Sequence, residues 1–247
     1  MRKFMKYAIL LLLVAASGCQ KDSVTNNSSP TNVIPNDFLS TSNYDKLIVE
    51  IQYLNGFAPT AAAISNLNTF LQMRLNKSTG ITIVQKIISS PVKSVYTLAE
   101  VQAIENVNRT QKTNGKTLTA YFFFADGDYS ANSGSSKVLG IAYGSSSMVI
   151  FEKTIRDFAG GVTQPPLTTL ESTVIHHEFG HILGLVDNGT PMQVAHVDAS
   201  HGKHCNDQNC LMYFAAETSD IVANIVGGDI PALNTNCLND LKGNGGK

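Results

Sequence analysis

Two histidines four residues apart with a glutamate between them, in His177-Glu178-Phe179-Gly180-His181, are the side chains of this chain best spaced for chemistry. Residues four apart on an α-helix lie on one face about a turn apart, so His177 and His181 can present imidazole nitrogens to one metal ion. Glu178 sits beside that face. A carboxylate there can take a proton from a metal-bound water without being a ligand, the division of labour that metal-assisted hydrolysis needs. All six histidines (His176, His177, His181, His196, His201, His204) fall between positions 176 and 204. Neither a solvated nor a core role explains that clustering. His176 points a helical step away from the metal face and is expected to bind nothing.

Gly184 follows His181 by three and can take the left-handed conformation that ends a helix and turns the chain. The whole run resembles the metzincin pattern HExxHxxGxxH of zinc metallopeptidases, in which the third ligand lies three residues after the glycine. That position here is Asp187, where the pattern has histidine. Further on, His204-Cys205-Asn-Asp-Gln-Asn-Cys210-Leu211-Met212 is similar to the H-C-x4-C-x-M run of archaemetzincins. There the histidine before the first cysteine is the third ligand, and the methionine forms a Met-turn beneath the metal. The resemblance implies His177, His181 and His204 as zinc ligands, Glu178 as general base, Met212 as the Met-turn, and 188–203 as an insertion. Asp187 stands as the alternative third ligand, since carboxylate oxygen also binds zinc, with His196 and His201 behind it. If His204 binds, Asp187 becomes a candidate for orienting a ligand imidazole.

The likeness to archaemetzincins extends over about 118–215 and includes the strand, turn and strand of 138–151 before the zinc helix, whose edge would pair with an extended peptide. In some metzincins a tyrosine two residues after the methionine stabilises the transition state. This chain has Phe214 there, and Tyr213, directly after Met212, is the candidate for that role. The cysteines depart from the pattern. Archaemetzincins complete a structural four-cysteine zinc site with a second C-x-x-C pair, whereas only Cys237 remains downstream here. A four-cysteine site is therefore not expected. Cys205 and Cys210 read as a small disulfide loop in an oxidising compartment, with Cys237 unpaired or displacing one of them.

The compartment is read from the N-terminus. Arg2, Lys3 and Lys6 precede a short apolar run at 7–16 and then Ala16-Ser17-Gly18-Cys19. The apolar run is too short for a transmembrane helix, and the segment resembles a bacterial lipoprotein signal whose cysteine is lipidated. This implies a chain held to a bacterial membrane through Cys19. Gln20-Lys21-Asp22 is similar to a surface-export signal, pointing to the outer membrane and the cell surface. Charged residues make up 15% of the chain, the formal net charge is -1 and 43% of residues are hydrophobic. There is neither a basic footprint for nucleic acid nor a disorder signature, and a monomer acting on protein or peptide is expected.

The elements that must position these side chains follow. Residues 1–19 form the signal, the Ser/Thr/Asn/Pro-rich 20–42 a flexible tether, and 43–247 one domain. Strands are predicted at 46–54, 81–89, 118–125, 137–143 and 148–153. Helices are predicted at 60–75, 98–107, from 166 or 167 to 184, and at 216–226. The fold class is α+β: a twisted mixed sheet carrying a zinc-binding helix, zincin- or metzincin-like, with a smaller C-terminal subdomain holding the Met-turn. The loop with Asp126, Gly127, Asp128, Asn132 and Ser133 is a lesser candidate for calcium and lacks the full EF-hand spacing. A second functional reading is a surface lipoprotein binding peptide or glycan on the same scaffold without catalysis.

Overall fold

The structure is a computed structural model that describes residues 33–89, 93–225 and 228–247. Cys19 and the greater part of the predicted tether lie outside the described residues. In chain order the elements are α1 (Pro35–Leu39), β1 (Lys46–Leu54), α2 (Ala61–Arg74), β2 (Gly80–Ile88), β3 (Val95–Tyr96), α3 (Leu98–Asn108) and β4 (Thr117–Phe124). They continue with β5 (Asp128–Tyr129), β6 (Gly140–Tyr143), β7 (Ser147–Ile150), α4 (Glu152–Asp157), α5 (Leu167–Ile182) and α6 (Thr235–Gly243). Two 3-10 segments, Phe214–Glu217 and Ser219–Asn224, lie between α5 and α6.

The main sheet runs β2-β1-β4-β7-β6, parallel throughout except for β6, which pairs antiparallel with β7 at one edge. A sheet covered on both faces needs strands that are apolar at every position. The run Leu118-Thr-Ala-Tyr-Phe-Phe-Phe-Ala125 meets that need. Leu118, Ala120, Phe122 and Phe124 enter the core that holds α2 and α5, while Tyr121, Phe123 and Ala125 enter a second core with Tyr96 and Val101. Thr60 and Thr97 cap α2 and α3 by accepting from Ala63 N and Glu100 N, and Glu100 returns a bond to the Thr97 N–H.

Helix α5 is buried almost all round, from Thr169 to Gly180 without a break. Phe179 fixes it to the sheet and to the N-terminal turn, its ring meeting Phe122 at 5.7 Å and Phe38 at 5.8 Å. A central helix that buries Glu171, Ser172, His176, His177 and Glu178 spends its interior on polar groups, which marks a working element.

Three expectations need correction. The packed body begins at Val33 rather than 43, because Phe38 and Leu39 are fully buried. Lys77 Nζ also donates to the carbonyls of Asp37, Ser40 and Tyr44 and ties that segment down. The predicted helix at 216–226 is replaced by the two 3-10 segments, since Thr218 turns the chain and its hydroxyl accepts from Asp220 N at 3.3 Å. The last strand before α5 stops at Ile150, and α4 begins at Glu152, inside the predicted strand 148–153. No helix among the described residues is long and apolar enough to cross a membrane.

Candidate metal centre

Helix α5 ends at its histidines. Gly184, at φ 74°, turns the chain out of it, and a Cβ there would meet Pro35 and the Thr190 N–H within 2.6 Å. His177 Nε2 and His181 Nε2 converge to 3.1 Å. His204 arrives from the loop beyond, its ring stacked at 5.4 Å from His177 and edge-on at 5.0 Å from His181. Ligand atoms of His177, His181, His204 and Glu217 all lie within 4.8 Å of one another.

The tautomers follow from the backbone. His177 Nδ1 meets Leu211 O at 2.7 Å and His204 Nδ1 meets His201 O at 2.7 Å. A carbonyl can only accept, so each Nδ1 carries the proton and each Nε2 presents its lone pair inward. Burial holds His177 down to about 4, and burial with His177 and His204 alongside holds His181 well below 6.5, so both imidazoles are neutral at neutral pH. For His204, burial alone would lower its pKa, but Glu217 beside it outweighs burial and raises it.

This donor set fits zinc. Two nitrogens at ~2.0–2.1 Å from a tetrahedral ion lie about 3.3 Å apart, close to the observed 3.1 Å. Glu178 is beside them and not among them. Its Oε2 accepts from Ala142 N at 2.6 Å, while Oε1 is buried without a hydrogen-bond partner. Burial, then Glu217 nearby, pushes its pKa well above the ordinary carboxylate value. A cleft of about 420 Å³ opens over this group, walled by Val138, Ile141 and Ala142 on the β6 side and by Asn188, Lys203 and Glu217 on the other. Beneath, Met212 is fully buried, and a Cβ on Gly180 would collide with its sulfur.

The structure therefore brings together His177, Glu178, His181 and His204 and leaves Asp187 outside. Val186 and Asp187 take left-handed backbone at φ 53° and 60°, and Asp187 is exposed, with its carbonyl receiving Lys203 Nζ. Its carboxylate is not among the donor atoms that converge with His177, His181 and His204. His201 is exposed, paired to Asp198 Oδ2 at 2.8 Å and stacked on Phe214. His176 stacks on Phe70 at 4.5 Å on another face of α5. Tyr213 is not among the residues lining the cleft. It packs on Phe214 and the core, and its backbone N–H donates to Cys210 O. In the loop considered for calcium the acids have protein partners: Asp126 accepts from Tyr96 OH at 2.5 Å and Asp128 from Thr154 Oγ1 at 2.8 Å. Glu217 belongs to no motif, and only the fold reveals it.

The Cys205–Cys210 disulfide is not formed, and Cys237 takes the place beside Cys210 that the alternative pairing allowed it. Cys205, Cys210 and Cys237 are all free and buried, and the thiol facing Cys210 at 3.7 Å belongs to Cys237. His196 completes the cluster, with Nδ1 3.4 Å from Cys205 Sγ and Nε2 2.7 Å from the buried Asp240 Oδ2. Cys205 is driven down by hydrogen bonds from Cys210 and Cys237, while Cys210 rises to about 11. Two sulfurs ~2.3 Å from a tetrahedral zinc would sit about 3.8 Å apart, and Asp240 orients His196 as carboxylates orient ligand imidazoles. His196, Cys205 and Cys237 place their donor atoms within 4.8 Å of one another and could hold a metal ion, with Cys210 next to Cys237.

No protein-family model and no curated protein matches the chain. Among solved structures it is similar to an archaemetzincin from Methanopyrus kandleri, at 16% identity and a TM-score of 0.49, covering 82% of this chain and 96% of that one. It is also similar to metalloproteinase-II from Bacteroides fragilis, at 14% identity and a TM-score of 0.43, covering 83% of this chain and 54% of that one. At these scores the likeness assigns neither family nor function, and the site is read from its own residues.

Proposed function

We propose that this chain is a zinc-dependent peptidase, an endopeptidase of metzincin type, with His177, His181 and His204 as ligands, Glu178 as general base and Met212 as the Met-turn floor. One observation carries the reading: three imidazoles converge, His177 and His204 with their Nε2 lone pairs inward, beside a buried carboxylate whose Oε1 has no hydrogen-bond partner. A zinc ion held there would supply Lewis-acid polarisation of a scissile carbonyl and would acidify water. Glu178 Oε1 receives the proton of the attacking water and returns it to the leaving amine, while the Ala142 N–H keeps Oε2 in place. The exposed edge of β6 receives the substrate as an added strand, bringing a backbone carbonyl over the site. Lipidation of Cys19 holds the monomeric enzyme at a bacterial outer membrane.

Incubating the full chain with a peptide library, with and without a chelator, tests the reading. Cleavage abolished by the chelator and restored by zinc is expected. Chelator-insensitive peptide or glycan binding without cleavage would establish the non-catalytic alternative.

A further inference from the structure

Glu217 reaches the metal centre from a 3-10 segment outside α5, and nothing in its sequence context prepares for it. We propose that Glu217 is a fourth, displaceable ligand of the ion held by His177, His181 and His204, so that the resting site is closed by protein and opens when a peptide enters. The proposal rests on the zinc reading above.

One Glu217 oxygen lies within 4.8 Å of all three imidazole donor atoms. Its Oε2 is 3.3 Å from His204 Nε2, the separation that two ligands of one tetrahedral zinc take, about 3.3 Å. Yet His204 Nε2 is buried without an aligned hydrogen-bond partner. Two groups that share a proton face each other, whereas two that share an ion face a common point. A 3.3 Å approach at which His204 Nε2 makes no aligned hydrogen bond supports the second arrangement. A carboxylate is also the donor that three neutral imidazoles lack, because it offsets part of the dication's charge.

The backbone explains why this ligand would yield to substrate. Glu217 O accepts from Leu139 N at 2.8 Å, Lys137 O accepts from Ser219 N at 2.7 Å, and Val138 bridges Thr218. The segment is thereby fastened to the chain leading into β6, the edge on which a peptide would add. The side chain is 36% exposed and lines the cleft, so it can swing away without disturbing the core. A peptide arriving along β6 meets Glu217 at the ion and takes its position.

The test uses the zinc-loaded full chain. In a crystal structure without substrate, a Glu217 oxygen is expected about 2.0–2.2 Å from the ion at the three histidines. An ion there with solvent in that position and Glu217 turned away overturns the proposal and leaves the peptidase reading standing. An absence of zinc at the histidines overturns both. In a chelator competition, Glu217→Gln should lose the ion whose release stops cleavage on the order of tenfold more readily. Unchanged zinc affinity with a raised KM would instead make Glu217 an anchor for the substrate's amino group, and overturns the proposal. Unfolding temperatures of variant and parent are compared so that a folding defect is not counted.

Discussion

Gly140 is where the geometry of the base can be perturbed without touching a ligand. A Cβ at this position on β6 would lie 2.7 Å from Val174 Cγ1, 2.8 Å from Glu178 Cγ and 2.9 Å from Glu178 Oε1. Ordinary contact begins near 3.4 Å, so Gly140→Ala must move the Glu178 side chain or the strand by about 0.6 Å. Overpacking of this kind costs about 1–3 kcal/mol, and a domain of this size loses about 2–4 °C of Tm per kcal/mol. Misplacing a catalytic group by ~1 Å costs about a hundredfold, so the variant should lose roughly 10- to 100-fold in kcat/KM. Zinc content should stay at the parent value because His177, His181 and His204 are not displaced. Steady-state peptide cleavage, metal analysis and thermal unfolding on one preparation read all three quantities. Parent-level kcat/KM alongside the loss of stability would refute the claim that Glu178 must hold its present position. Loss of zinc would refute the claim that the effect acts on the base alone.

Two further outcomes are expected. Cobalt(II) in place of zinc should give thiolate-to-metal charge-transfer bands from Cys205, Cys210 and Cys237, and Asp240→Asn should weaken that ion by about 10- to 100-fold by releasing His196. Thiol titration of the unfolded chain that finds Cys205 and Cys210 joined would contradict this. Elsewhere, burial and then Glu171 beside it push Glu152 from 4.5 up to about 9, outweighing the opposite pull of Arg156 Nε at 2.6 Å. The folded state therefore holds a proton that the unfolded chain releases, and this contribution is complete below about pH 4.5 and is lost as pH rises through about 9. The slope is at most ~1.4 kcal/mol per pH unit. Glu152→Gln should flatten the decline of Tm between pH 5 and 9, and an unchanged slope would show that Glu152 is ionised beside Arg156.

Much of the scaffold was legible because its signals are local. The strand at 46–54 and the helix that stops just before Gly184 carry their own periodicity and stop residue, and the HEFGH spacing places two imidazoles and a carboxylate by helix geometry alone. What escaped depends on how distant segments return. The chain path past Asp187 to His204 passes through left-handed backbone at Val186, Asp187 and Lys203, which Val and Lys do not announce. The place of His196 beside the thiols was not legible, because it precedes Cys205 by nine residues and is aimed by Asp240, forty-four residues away. Glu217 is placed by backbone pairing with 137–139, which no spacing encodes. The helix expected at 216–226 failed because Thr218, Ser219 and Asp220 favour local turns over helix continuation.

The division of labour between ligands and base is tested most directly by zinc content and peptide cleavage measured together in Glu178→Ala. Because Glu178 lies outside the set of donor atoms that converge at His177, His181 and His204, the variant should keep its zinc and lose cleavage, by roughly 10²–10⁴-fold. Retained zinc with full cleavage would contradict the account.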